Sequence, residues 1–305
     1  MSEHFSDTLW KHSGFFDVMR RKMCHKGLYT AILHTTSSEE TQQKRRLKAM
    51  KQFFTNIIEN LTYVLEFVGI VAALVLVAVI AEKLIAKHNN EQGRILTARK
   101  TAMIGMFSAI AGVLMIFEFP VPFAPPFYGI DASELPVLLC GFAFGPVAGI
   151  LTEFVKIIIK LLLKPTSTAF VGELANFCVG CSMILPATLI YHVRKRKTTA
   201  IVGSVVGTLC MTIFGTLFNA VYLLPTFAVM FGMPLEAIIG MGTELNSNIT
   251  NVFTFVAFCV APLNLLKGSG VSILTFLLYK PLSPILKAAY DNTGNTAKNR
   301  QTEGV

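Results

Sequence analysis

The strongest constraint on this chain is a series of long apolar stretches divided by short polar, basic segments. Leu61–Ala81 is apolar except for Thr62 and Glu66, and Thr101–Phe117, Pro146–Leu163, Gly172–Tyr191 and Ala200–Leu224 repeat the pattern. About 20 apolar residues are what a helix needs to cross a bilayer. Inside lipid the backbone meets no water, so each stretch must satisfy its own hydrogen bonds, which a helix does. Only 15% of residues are charged, against about 25% in soluble proteins. The fold class expected is therefore an all-α polytopic membrane protein. The net charge of +9 does not point to nucleic acid, because Lys and Arg cluster between the apolar stretches, where the positive-inside rule puts them.

The chain is organised around Glu118–Phe154, EFPVPFAPPFYGIDASELPVLLCGFAFGPVAGILTEF. An apolar helix stops at Glu118, and a Pro- and aromatic-rich loop free of Lys and Arg follows. Asp131 and Glu134 then open a short helix over 134–144, and Phe144-Gly145-Pro146 turns the chain into the next one. Irregular polar backbone between spans must sit in water or line a cavity, so this stretch is expected to form one wall of a ligand site.

Residues 1–51 are polar and basic and read as an arm. Residues 52–94 hold an extra hydrophobic helix and a linker, 95–290 a six-helix membrane core, and 291–305 a polar tail. The run Arg194-Lys195-Arg196-Lys197 marks the cytoplasmic side of the core. Loop 119–130 is then outside, as is 226–266, which lacks Lys and Arg. In this reading Pro225 closes the fifth span, Ile249–Ala261 is outer-side structure packed on the bundle, and Lys267–Tyr279 is the last span. Small residues recur at spacing four in the pairs Ala98 and Ala102, Gly105 and Ala109, and Ser108 and Gly112. That spacing lets another helix approach closely, either within the bundle or from a docking partner.

Polar groups converge on the outer ends of the core spans: Tyr128, Asp131, Glu134, Thr168, Asn176, Asn219, Tyr222, Asn264 and Lys267. Asn264 and Lys267, three apart, present an amide and an ammonium on one helix face. Phe123, Phe127, Phe170, Phe177, Leu223 and Leu224 surround them. An apolar slot with a few fixed polar groups suits a flat, polar-edged small molecule. Within Pro146–Leu163, Glu153 and Lys156 share a face, as an ion pair or as functional groups.

Catalysis finds no support. All six His lie outside the core spans, and no zinc-protease, nucleophile-elbow or phosphate-loop motif occurs. The Cys178/Cys181 pair has no second Cys/His pair near it in sequence, so the chain is expected to hold no metal.

The order and spacing of the P-x-P loop into GIDASELP, FGPVAGILTEFVK, GELANF, FNAVYLLP, and APLNLLKG before LTFLLYK resemble the substrate-binding (S) components of energy-coupling-factor (ECF) vitamin transporters. The riboflavin-specific branch is the most similar. The resemblance covers about 95–290 and implies a six-helix core that captures riboflavin at the extracellular face as transported substrate, with no cofactor. It implies that Asn264 and Lys267 bind the polar edge of the ring, that Asn219 and Asn176 add hydrogen bonds, and that the Tyr128–Glu134 loop closes over the ligand. The face of Ala98, Ala102, Gly105 and Ala109 would dock on a transmembrane coupling protein, which two ATPase subunits complete. The extra 90 or so N-terminal residues depart from the family pattern. They keep open an interaction or regulatory protein built on the extension, beside an S component for a different vitamin.

Overall fold

The structure, a computed structural model, describes residues 61–89, 95–164, 166 and 168–278. The readings made of the 1–51 arm and the 291–305 tail lie outside these residues. Helix α1 spans Leu61–His88 and α2 spans Ala98–Leu114, whose start is capped by the Thr97 side chain accepting the Lys100 amide. A two-residue antiparallel ladder follows, β1 Phe119–Pro120 with β2 Gly129–Ile130, pairing Phe119 with Ile130. It closes the loop of 119–130 on itself. Helices α3 (Glu134–Phe144), α4 (Pro146–Leu163) and α5 (Val171–Val193) come next. They are followed by α6 (Lys197–Phe231), α7 (Leu235–Leu245) and α8 (Val252–Leu278).

Among the described residues, α1, α5, α6 and α8 are long and apolar enough to cross a membrane. Helix α4 has the length, but it carries Glu153, Lys156 and Lys160. Glu153 and Lys156 are fully buried in the bundle rather than turned outward, as polar groups at membrane depth must be.

Two boundaries differ from the sequence reading, for one shared reason. Pro225 does not end the fifth span, because α6 runs on to Phe231. Lys267 does not begin the last span either, because α8 starts at Val252 and absorbs Ile249–Ala261 from 252 onward. A π turn precedes each proline by two residues: Asn219–Leu223 before Pro225, and Val256–Val260 before Pro262. In these turns the Leu224 amide bonds the Asn219 carbonyl and the Ala261 amide bonds that of Val256, five residues back. A proline lacks the amide that an α-helix needs and crowds the preceding turn. The wider turn lets the helix pass through it. The start of α8 is fixed by Asn251, whose side chain accepts the Thr254 amide at 2.9 Å.

The small residues of α2 divide between two roles. Ser108 and Gly112 are buried, and Ser108 Oγ donates to the Thr152 carbonyl of α4 at 3.2 Å. Ala98, Ala102, Gly105 and Ala109 are all exposed, a strip that runs beside this packed pair.

Candidate functional site

The loop end of the bundle holds a chain of buried charges that joins four segments. Asp131, just after β2, accepts the Ser133 amide on Oδ1 at 2.7 Å, a turn that launches α3. Its other oxygen takes the Lys267 ammonium of α8 at 3.0 Å. Glu134, the first residue of α3, meets Lys267 at 3.5 Å and Lys156 of α4 at 3.0 Å. Lys156 also lies 2.6 Å from Glu153, one turn earlier on α4. Of these five groups none is more than 7% exposed. Buried charges of this kind persist only where they are paired, since removing one from water costs several kcal/mol. The network therefore fixes the loop against α3, α4 and α8.

Burial pushes the Asp131 carboxyl upward, but Lys267, Lys156 and the Ser133 bonds outweigh it and hold it below the usual carboxylate value. A depressed value means that the pair's stabilisation is fully present above the unfolded Asp value of about 4. It is lost only as pH falls through the lower folded value, so the loop is held down at neutral pH.

A second pair lies beside this network. The Tyr128 phenol donates to Asn219 Oδ1 at 2.7 Å, and Asn219 Nδ2 donates to the Gly215 carbonyl at 2.7 Å. Burial, with Cys259 adding to it, pushes the Tyr128 phenol above its ordinary value, so it stays a donor. Tyr128 belongs to an apolar cluster with Ala124, Leu223, Leu224, Phe255 and Cys259. Phe127 stands edge-on to Phe227 with ring centres 6.2 Å apart.

Asn264, one turn before Lys267 on α8, is 4% exposed, and its Nδ2 has no hydrogen-bond partner. Leaving a buried amide donor unpaired costs about 1–3 kcal/mol, which marks the position as one awaiting an acceptor. Gly215 of α6 makes room for it, since a Cβ there would lie 2.5 Å from Nδ2. Gly215→Ala is accordingly expected to displace Asn264 and weaken ligand affinity about tenfold with little loss of helix content. Titration of the variant beside its circular dichroism spectrum checks this.

The other sequence candidates make their side-chain bonds outside this charge network. Thr168 helps build the start of α5, where its hydroxyl donates to Glu173 and accepts the Gly172 amide; Glu173 also pairs with Lys160. Asn176 Nδ2 is spent on the Gly172 carbonyl of its own helix at 3.0 Å. The Tyr222 hydroxyl turns to Glu66 of α1 at 2.8 Å. The sequence reading flagged Glu153 and Lys156 without placing them at the site. It missed Gly180 of α5, where an added Cβ would run into Glu153 Oε1 and lie 3.0 Å from Glu134 Oε2. The neighbours of Gly180 are distant in sequence, so no local signal marks it.

The arrangement can bind and orient a ligand through an apolar wall, an amide and an ammonium. Among the described residues no group of His, Cys, Asp and Glu could hold a metal ion.

The chain is similar to known proteins. The model of the ECF transporter substrate-specific component matches residues 99–279. The riboflavin transporter RibU of Staphylococcus aureus (strain TCH60) is 35% identical over 189 residues, which cover 62% of this chain and 93% of that protein. The riboflavin transporter FmnP of Bacillus subtilis (strain 168) is 28% identical over 187 residues, 61% of this chain and 93% of that protein. A solved S component of a bacterial ECF transporter is 35% identical, with a TM-score of 0.49 over 62% of this chain and 97% of the other. With the family match extending over more than half of its length, the chain belongs to the substrate-specific components of ECF transporters.

Proposed function

We propose that this chain is a riboflavin-binding subunit of an ECF-type transporter that captures its substrate at the extracellular face for ATP-driven uptake. The observation that carries the reading is the 35% identity to a riboflavin transporter over 93% of that protein's length. The chain is a multi-pass membrane protein and a transport component, not an enzyme.

The six-helix core of this reading is α2, α3, α4, α5, α6 and α8, with α1 preceding it. Asn264 and Lys267 face the polar edge of the flavin ring, one as amide donor and the other as ammonium. Asp131 and Glu134 hold Lys267 in place, and the Tyr128–Asn219 bond fixes the loop beside it. Riboflavin is bound as transported substrate and no cofactor is required. The exposed strip of Ala98, Ala102, Gly105 and Ala109 is the docking face for the transmembrane coupling protein, which brings the ATPase subunits. Absence of large side chains along that strip is what lets a partner helix approach its backbone.

The deciding measurement is a visible absorption and fluorescence spectrum of the protein purified in detergent without added ligand. A co-purifying flavin with quenched fluorescence is expected. A colourless protein that also leaves added riboflavin unquenched would overturn the reading in favour of another vitamin.

A further inference from the structure

Helix α1 ends before residue 99, where the family match begins, so it is an addition to the shared core. It is nevertheless seated on that core along its whole length. Phe67 is buried against the rings of Phe154 on α4 and Phe177 on α5, with centres 6.3 Å and 5.7 Å away. Val71 and Ala78 continue the buried stripe at spacings of four and seven, the periodicity of one helix face packed on others. At the basic end, Glu82 accepts the Val147 amide at the start of α4 at 2.9 Å and lies 3.7 Å from Lys100 of α2. It thereby caps a helix whose N-cap residue, Gly145, has no side chain to do so. Asn89 Nδ2 donates to the His192 carbonyl at 3.1 Å.

At the loop end α1 reaches the ligand side of the bundle twice. Tyr63 packs on the apolar cluster that contains Tyr128 and Leu223, and Tyr222 borders the same cluster. Glu66 accepts the Tyr222 proton at 2.8 Å. A phenol has a single proton. Once that proton is committed to Glu66, the Tyr222 oxygen has only lone pairs left for any other partner.

We propose that α1 is part of the ligand-binding unit, and that Glu66 is a positioning residue that acts through Tyr222, making its phenol a hydrogen-bond acceptor for a donor group of the ligand. This rests on the riboflavin reading, since riboflavin carries such donors in its ribityl hydroxyls and ring imide. The link is specific to the acceptor oxygen of Glu66. A glutamine can still supply that oxygen, whereas an alanine or leucine cannot.

The experiment is a riboflavin fluorescence titration of the full chain and of E66A, E66Q, Y222F and the E66A/Y222F pair. Size-exclusion profiles and thermal unfolding in detergent accompany it. E66A is expected to weaken affinity about tenfold, the loss of one oriented hydrogen bond. E66Q should stay within about threefold of the parent, and E66A should add nothing in the Y222F background. Should E66A fail to fold, E66L keeps the packing volume and is held to the same expectation. Equal affinity in the parent and the folded E66A or E66L, or losses that add in the double variant, would overturn the inference alone. A parent chain that binds no riboflavin would overturn the functional reading, and this inference with it.

Discussion

Lys267→Ala is expected to lower riboflavin affinity by about 2–3 kcal/mol, roughly a hundredfold, the loss that follows when a buried charged partner is truncated. The same change leaves the buried Asp131 carboxylate without its ammonium and the buried Glu134 carboxylate with Lys156 alone. Uncompensated burial of that kind costs about 3–5 kcal/mol of stability. The two effects separate in the Lys267→Ala, Asp131→Asn double variant. Removing the Asp131 charge should recover part of the thermal stability, because one unpaired carboxylate disappears. Affinity should not recover, because the ammonium that meets the ligand is still missing. Fluorescence titration and unfolding in detergent read the two quantities independently. Unchanged affinity in a folded Lys267→Ala protein would move the site away from α8.

The second large effect is expected at Lys156, which is buried completely between Glu134 and Glu153 at 3.0 Å and 2.6 Å. Lys156→Met fills a similar volume but leaves two carboxyls facing each other across Gly180, where no side chain separates them. A loss of about 3–5 kcal/mol is expected, enough to prevent accumulation of folded protein. Adding Glu153→Gln should restore folding, since Glu134 keeps Lys267 at 3.5 Å as its remaining counter-charge. Expression level and unfolding temperature of the single and double variants check this. A stable Lys156→Met protein would show that the network is not what holds α3 to α4.

Much of the site was legible as a list of residue types. Asp131, Glu134 and Lys267 stood out because charges are rare next to apolar spans, and Asn264 because it shares a helix face with Lys267. Their pairing was not legible. Asp131 and Lys267 are 136 residues apart in sequence, and no local pattern encodes a tertiary ion pair. Thr168 and Asn176 read as site residues only because they are polar near the same end of the bundle. The structure spends Thr168 on building the start of α5, and Asn176 on its own backbone, as short polar side chains commonly do near a helix start.

The apolar runs by themselves determined that this chain forms helices in a bilayer, because lipid leaves the backbone no other partner. Motif order by itself determined the family. Tertiary structure alone decided where two helices end. Pro225, which reads as a stop, and Pro262 are passed by π turns, whose stability depends on the packing of Asn219, Leu223, Cys259 and Val260 in the bundle. It alone divided the small residues of α2 into a packed pair and an exposed strip, since spacing is the same in both. It also joined α1 to the core. In sequence α1 is a separate apolar stretch with one inconvenient glutamate at each end. Glu66 and Glu82 find their partners on α6, α4 and α2, and a buried or half-buried carboxyl takes its meaning from the groups that approach it across the fold.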